Sequence, residues 1–217
     1  MTSRLLTTVL LIGLVFSMVT LVPRLQKHHL PGNQQDYEPA QPIAFSHRLH
    51  AGEMQISCIY CHSGAEKSRH AGVPAASTCM NCHRFATAAF GALLAESEAA
   101  AKAKRTPRRV VSPELEKLYD ALALDEKMQR DPKRTTQPIA WTKVHNLPAF
   151  VYFDHRAHVN AGVECQHCHG RVQTMERMRQ VEDLSMGWCV HCHREVNQTG
   201  VAKKPVKAST DCATCHY

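Results

Sequence analysis

CIYCH, Cys58 to His62, recurs in frame four more times along a chain of 217 residues: CMNCH (Cys79 to His83), CQHCH (Cys165 to His169), CVHCH (Cys189 to His193) and CATCH (Cys212 to His216). All ten cysteines lie in these five pairs, and each pair is followed at once by a histidine. Three chemistries use C-x-x-C: zinc sites, redox disulfides and covalent attachment of c-type haem. The histidine decides among them. With 15 histidines in 217 residues, five in a row at that position would arise by chance on the order of once in a million. A zinc ribbon has no use for a histidine directly behind its second cysteine, and a redox dithiol has no need of five copies. Haem c needs all three residues: two thiols form thioethers to the vinyl groups and the imidazole reaches the iron. The reading is five covalently bound haem c. Its attachment residues are Cys58, Cys61, Cys79, Cys82, Cys165, Cys168, Cys189, Cys192, Cys212 and Cys215, with proximal ligands His62, His83, His169, His193 and His216.

Near the N-terminus, residues 5–22 (LLTTVLLIGLVFSMVTLV) carry no charge. As a helix they span about 27 Å, enough for a hydrocarbon core. The run is longer than a signal-peptide core and no small-x-small cleavage site follows, so an uncleaved membrane anchor is expected. Arg4 precedes the run, and Arg24 and Lys27 follow it; these flanks alone do not orient it. Haem c is attached outside the bacterial cytoplasmic membrane, so the body is expected on the periplasmic or outer side. The formal charge of +7 is no argument for nucleic acid. Two propionates per haem take five bis-ligated haems to roughly +2 when ferric and −3 when ferrous, and the Arg and Lys residues are read as propionate partners.

A second pattern appears twice. FSHRLH (Phe45 to His50) precedes the motifs of Cys58 and Cys79, and FDHRAH (Phe153 to His158) precedes those of Cys165 and Cys189. Shared order and similar spacing argue for duplication of a two-haem unit. The expected organisation is an anchor over 1–26, a linker over 27–44, a two-haem module over 45–84, a helical insertion over 85–140, a second module over 141–194 and a fifth-haem segment over 195–217. Within the insertion, residues 86–104 favour helix. Ser112-Pro113 is suited to start a second helix reaching about Arg130, with Leu115, Leu118, Tyr119 and Leu122 as its apolar stripe. This hairpin is read as packing on the chain's own body rather than as a docking element. With thirteen aromatics (two Trp, five Tyr, six Phe) and little strand patterning, the fold class expected is a multihaem cytochrome c. Short α-helices and loops would wrap round five haems, with one N-terminal transmembrane helix added.

The sixth iron ligand separates a carrier from an enzyme. In F-x-H-x-x-H the histidines are three apart, which places both on one helical face. His47 and His155 are expected to serve the irons of His62 and His169, and His50 and His158 more distant ones. His145 is the next candidate and His70 a weaker one. Met175 or Met186 would give a His/Met iron of higher potential, though a gap-filling role suits both better. His28 and His29 fall beside the membrane segment, and His167 and His191 lie inside C-x-x-C loops unable to reach the opposite face. Five good candidates for five irons close the coordination, which favours electron transfer and no catalytic residue of the chain's own.

The F-x-H-x-x-H pair ahead of C-x-x-C-H resembles the cytochrome c3 and c7 group. The strings PIAFSHRLHAGEMQISCIYCH, GVPAASTCMNCH, LPAFVYFDHRAHVNAGVECQHCHG and LSMGWCVHCHRE more specifically resemble the pentahaem, membrane-anchored cytochrome c subunit of alternative complex III. That resemblance implies electron relay within a quinol-oxidising respiratory complex. Its expected partners are iron–sulfur, quinol-binding membrane and monohaem cytochrome subunits. A stand-alone anchored quinol dehydrogenase feeding periplasmic reductases is the alternative. A multihaem reductase would need an open iron.

Overall fold

A computed structural model describes the backbone of residues 2–26 and 33–216 and the side chains of 5–21 and 33–216. His28 and His29 lie outside the described residues. The chain is helix and loop: among the described residues there is no strand, only isolated bridges such as Val151 with His216. The elements run α1 (Thr2–Gln26), a π-helical turn (Arg48–Glu53), α2 (Cys58–Cys61), α3 (Ala76–His83), α4 (Phe90–Lys102), α5 (Pro113–Ala121), α6 (His155–Ala161), α7 (Cys165–His169), α8 (Met186–Thr199) and α9 (Cys212–Cys215). Over residues 5–21 of α1 the apolar side chains are exposed on every side, Leu5 at 69% and Phe16 at 70%. Among the described residues no helix is long and apolar enough to cross a membrane.

The polypeptide builds little core of its own. Its accessible surface is 15921 Å², against about 10,000 Å² for an ordinary folded chain of 24.3 kDa. The principal apolar cluster is Met80 of α3 with Leu118 and Tyr119 of α5, flanked by Ile43, Leu115 and Ile139. The insertion therefore packs on the second C-x-x-C-H helix, and the Tyr119 hydroxyl donates to the His83 carbonyl at 2.6 Å. Ser112 caps α5 and Pro113 opens it, as the sequence suggests. The helix stops at Ala121, well short of Arg130. Ala123 adopts a left-handed φ of 52°, and Asp125 Oδ1 accepts from the N–H groups of Lys127 and Gln129. That local turn competes with further helix. Leu118→Ala is expected to cost about 2–5 kcal/mol, the range for a buried leucine, measurable as a lowered denaturation midpoint.

The two F-x-H-x-x-H segments share one ring geometry. In the first copy Phe45 stands edge-on to His47 (centroids 5.0 Å, 83°) and stacks on His50 (4.4 Å, 25°). In the second, Phe153 does the same to His155 (4.9 Å, 84°) and His158 (4.7 Å, 30°). The phenylalanine thus fixes both imidazoles. The two copies also interlock: Arg48 N–H donates to the Met175 carbonyl (2.8 Å), and His155 N–H to the Arg69 carbonyl (3.1 Å). Each histidine segment leans on the loop that follows the other copy's first motif.

Candidate functional site

Each C-x-x-C-H segment closes about one helical turn, which brings both thiols and the imidazole to one neighbourhood. The His62 N–H reaches the Cys58 carbonyl at 2.8 Å and the His216 N–H the Cys212 carbonyl at 2.9 Å. All ten cysteines are unbridged. Among the described residues no three His, Cys, Asp or Glu side chains converge on one point. The pairs do not assemble the four-donor cluster of a zinc ribbon.

Contacts between motifs give their order in space. Burial raises the Cys61 thiol pKa, and the Cys82 and Cys58 thiols beside it add to the rise. Tyr60 and Asn81 join the same two motifs by a 2.9 Å hydrogen bond. Cys165 is raised by burial and then by Cys58. Cys168 is pushed up to about 11 by burial and then by Cys192 and Cys189. His167 of the third motif lies 3.5 Å from Cys192 of the fourth. Cys189 is raised by burial and then by Cys215, and the His193 imidazole reaches the Ser209 carbonyl just ahead of the fifth motif (2.5 Å). The motifs therefore run second, first, third, fourth, fifth. The two copies meet through their first motifs, Cys58 to Cys165.

The histidines fall into pairs. Two imidazoles bound from opposite sides to one iron would have centroids roughly 6 Å apart, allowing about 2 Å per metal–nitrogen bond and about 1 Å from each nitrogen to its ring centre. His50 and His83 are 6.0 Å apart, His155 and His169 are 6.3 Å apart and nearly parallel at 5°, and His158 and His193 are 6.1 Å apart. His47 neighbours His62. His145 lies closer to His169, at 4.4 Å and 79°. His216 stacks with Phe150 at 5.8 Å. His70 is exposed, with its backbone N–H on the Ser68 hydroxyl. Met186 is 70% exposed at the start of α8, and Met175 is half-buried.

Second nitrogens confirm that these rings are oriented. Nδ1 donates to a backbone carbonyl in six of them: His50 to Ser46 (2.9 Å), His62 to Gly72 (2.7 Å), His83 to Ala86 (2.8 Å), His155 to Arg69 (3.0 Å), His158 to Asp154 (2.9 Å) and His193 to Ser209. Such a bond fixes the tautomer and leaves Nε2 bare for a metal. The residues fit haem c: paired thiols, an oriented imidazole behind each, and a second imidazole at ligation spacing for three of the five. Buried Nδ1 of His47 has no hydrogen-bond partner.

Burial holds several of these rings neutral, as ligands must be. The pKa of His169 falls to about 3, through burial and then its neighbours His145, His155, His62 and His47. His47 falls to about 4 through burial, then His62 and His50, and His145 to about 4 through burial, then His155. Between pH 6.5 and about 4 the unfolded chain binds protons at these positions that the folded chain refuses. Stability is full above pH 6.5 and declines as pH falls through that window. Unfolding midpoints at pH 7 and pH 4.5 test this; equal midpoints would contradict it.

Two supports carried no sequence signal. Gln180, fully buried, accepts from Asn146 N–H (3.1 Å) and donates to Asn33 Oδ1 (3.2 Å) and the Glu182 carbonyl (2.9 Å), tying the linker to the strip that carries His145. Gly170, directly behind His169, has φ 69° and ψ −162°, a region reserved for glycine. A Cβ there would lie 2.6 Å from Val181 Cγ2.

Residues 151–217 match the family of cytochrome c7 and related cytochrome c. That match covers the second F-x-H-x-x-H segment and the third, fourth and fifth motifs. Over 199 residues the chain is 23% identical to the menaquinone reductase multiheme cytochrome c subunit of Nitratidesulfovibrio vulgaris Hildenborough, an alignment covering 81% of this chain and 76% of that protein. Both similarities are to multihaem c-type cytochromes.

Proposed function

We propose that this chain is the pentahaem c-type cytochrome of a quinone-linked respiratory membrane complex, an electron-relay subunit. The observation that carries the reading is the set of oriented imidazole pairs at about 6 Å, each including the histidine of a C-x-x-C-H motif. Ten cysteines hold the groups covalently. His62, His83, His169, His193 and His216 bind one side of the irons, and His47, His50, His155 and His158 supply the opposite side for the first four. Each haem, when bound, supplies a one-electron ferric/ferrous couple. Rings held on both sides leave no room for a substrate at those irons.

The menaquinone reductase subunit of N. vulgaris belongs, by its name, to a quinone-linked enzyme, and this supports placing the chain beside quinone chemistry. The finer reading is an alternative complex III type assembly, with flow from quinol towards a cytochrome c or oxidase. Iron–sulfur, quinol-binding membrane and monohaem cytochrome subunits are its partners. The uncharged run of residues 5–22 is read from its sequence as the anchor, with the motifs on the periplasmic side of a bacterial cytoplasmic membrane.

Purification in mild detergent tests the assignment. The expected result is a complex whose cytochrome subunit carries five haems by intact mass and is reduced on adding a menaquinol analogue. A subunit that runs alone and still oxidises quinol would favour the stand-alone dehydrogenase. A ferric high-spin signal that shifts with cyanide would point to an open, reactive iron.

A further inference from the structure

His145 does not stand where the other second histidines stand. Its ring centroid is 4.4 Å from that of His169, about 2 Å too close for the two to face each other across an iron. The atoms that meet are His145 Nε2 and His169 Nδ1, 3.1 Å apart. Nδ1 is the nitrogen that His62, His83 and His193 give to backbone carbonyls, so at the third motif a side chain occupies the position a carbonyl holds elsewhere. The opposite face of His169 already has its partner, the parallel ring of His155 at 6.3 Å. His145 is itself held in place. Its neighbour Asn146 donates its N–H to the buried Gln180, and the preceding Val144 is buried.

From this juxtaposition we infer that His145 is a positioning residue for His169, accepting its Nδ1–H, and not an axial ligand. The inference rests on the reading of Cys165 to His169 as a haem site. An imidazole nitrogen is a stronger acceptor than an amide carbonyl. It draws the Nδ1 proton further, makes His169 a more basic ligand, and so favours the ferric state. The third haem, at the centre of the motif order, is thereby set lower in potential than a carbonyl partner would set it.

Two variants of the full-length, haem-loaded protein decide the matter by spectroscopy and potentiometry. His145→Leu removes the acceptor and His145→Gln keeps one in its side-chain oxygen. The expected result for His145→Leu is an unchanged haem count by mass, no new high-spin signal, and one midpoint potential moved upward with the others in place. His145→Gln is expected to move that midpoint less. A high-spin ferric signal in His145→Gln would overturn the inference by making His145 a ligand, and that variant decides the point even if His145→Leu fails to mature. Five unmoved midpoints in His145→Leu would overturn it as well. Wild-type protein with no covalent haem would instead refute the functional reading beneath it.

Discussion

Exchanging His155 for alanine is expected to convert one haem of five to the high-spin ferric state while all five remain attached. The imidazole lies parallel to that of His169 at 6.3 Å, and the Arg69 carbonyl holds its Nδ1 at 3.0 Å. Nothing else in α6 can substitute: His158, one turn on, is committed to His193. The thioethers of Cys165 and Cys168 do not depend on the sixth ligand, so mass should report an unchanged haem count and optical and EPR spectra the loss of one haem's share of the low-spin signal. Exposed His70 is the control, and His70→Ala should leave the spectra as they are. A low-spin signal in His155→Ala undiminished from that of the unaltered protein would reject the axial pairing.

The second large effect concerns the order of the motifs. Cys165→Ser with Cys168→Ser should leave four haems by mass, and Cys212→Ser with Cys215→Ser should also leave four. The two losses differ in kind. The third motif stands between the first and fourth, with Cys165 beside Cys58 on one side and His167 3.5 Å from Cys192 on the other. Without it the remaining groups fall into two pairs. Quinol added to that complex should reduce two of the four rapidly, and throughput to the acceptor should drop to background. Loss of the fifth motif should leave all four remaining groups reducible by quinol if quinol enters at the second-motif end. Rapid reduction of all four haems in the Cys165, Cys168 variant would show that the spatial order is wrong.

Much of this site was legible in residues. C-x-x-C-H names its chemistry because three bonds to one group demand three side chains in a single turn. F-x-H-x-x-H was legible because helical spacing puts two rings on one face, and the structure adds that its phenylalanine packs against both. Ser112-Pro113 marked the start of α5 correctly. Its end was misjudged, because the apolar stripe continues to Leu122 while Asp125 closes a competing turn. His145 was legible only as a histidine near a motif. Which ring nitrogen it meets depends on a strip of chain held by Gln180, and no local pattern encodes that contact. The spatial order of the motifs was equally silent, being set by contacts between segments about a hundred residues apart.

That order has a bearing on direction. The two copies meet first motif to first motif, Cys58 to Cys165, so the sequence of sites second, first, third, fourth reads the same from either end. Built from the duplicated modules alone, the relay would be a palindrome, presenting equivalent termini to donor and acceptor. The last 23 residues break that symmetry by setting one further site, Cys212 to His216, against the fourth motif, while at the other end the insertion packs on the second motif. The two ends of the order are therefore unlike, one closed by a further motif and the other by the α5 cluster.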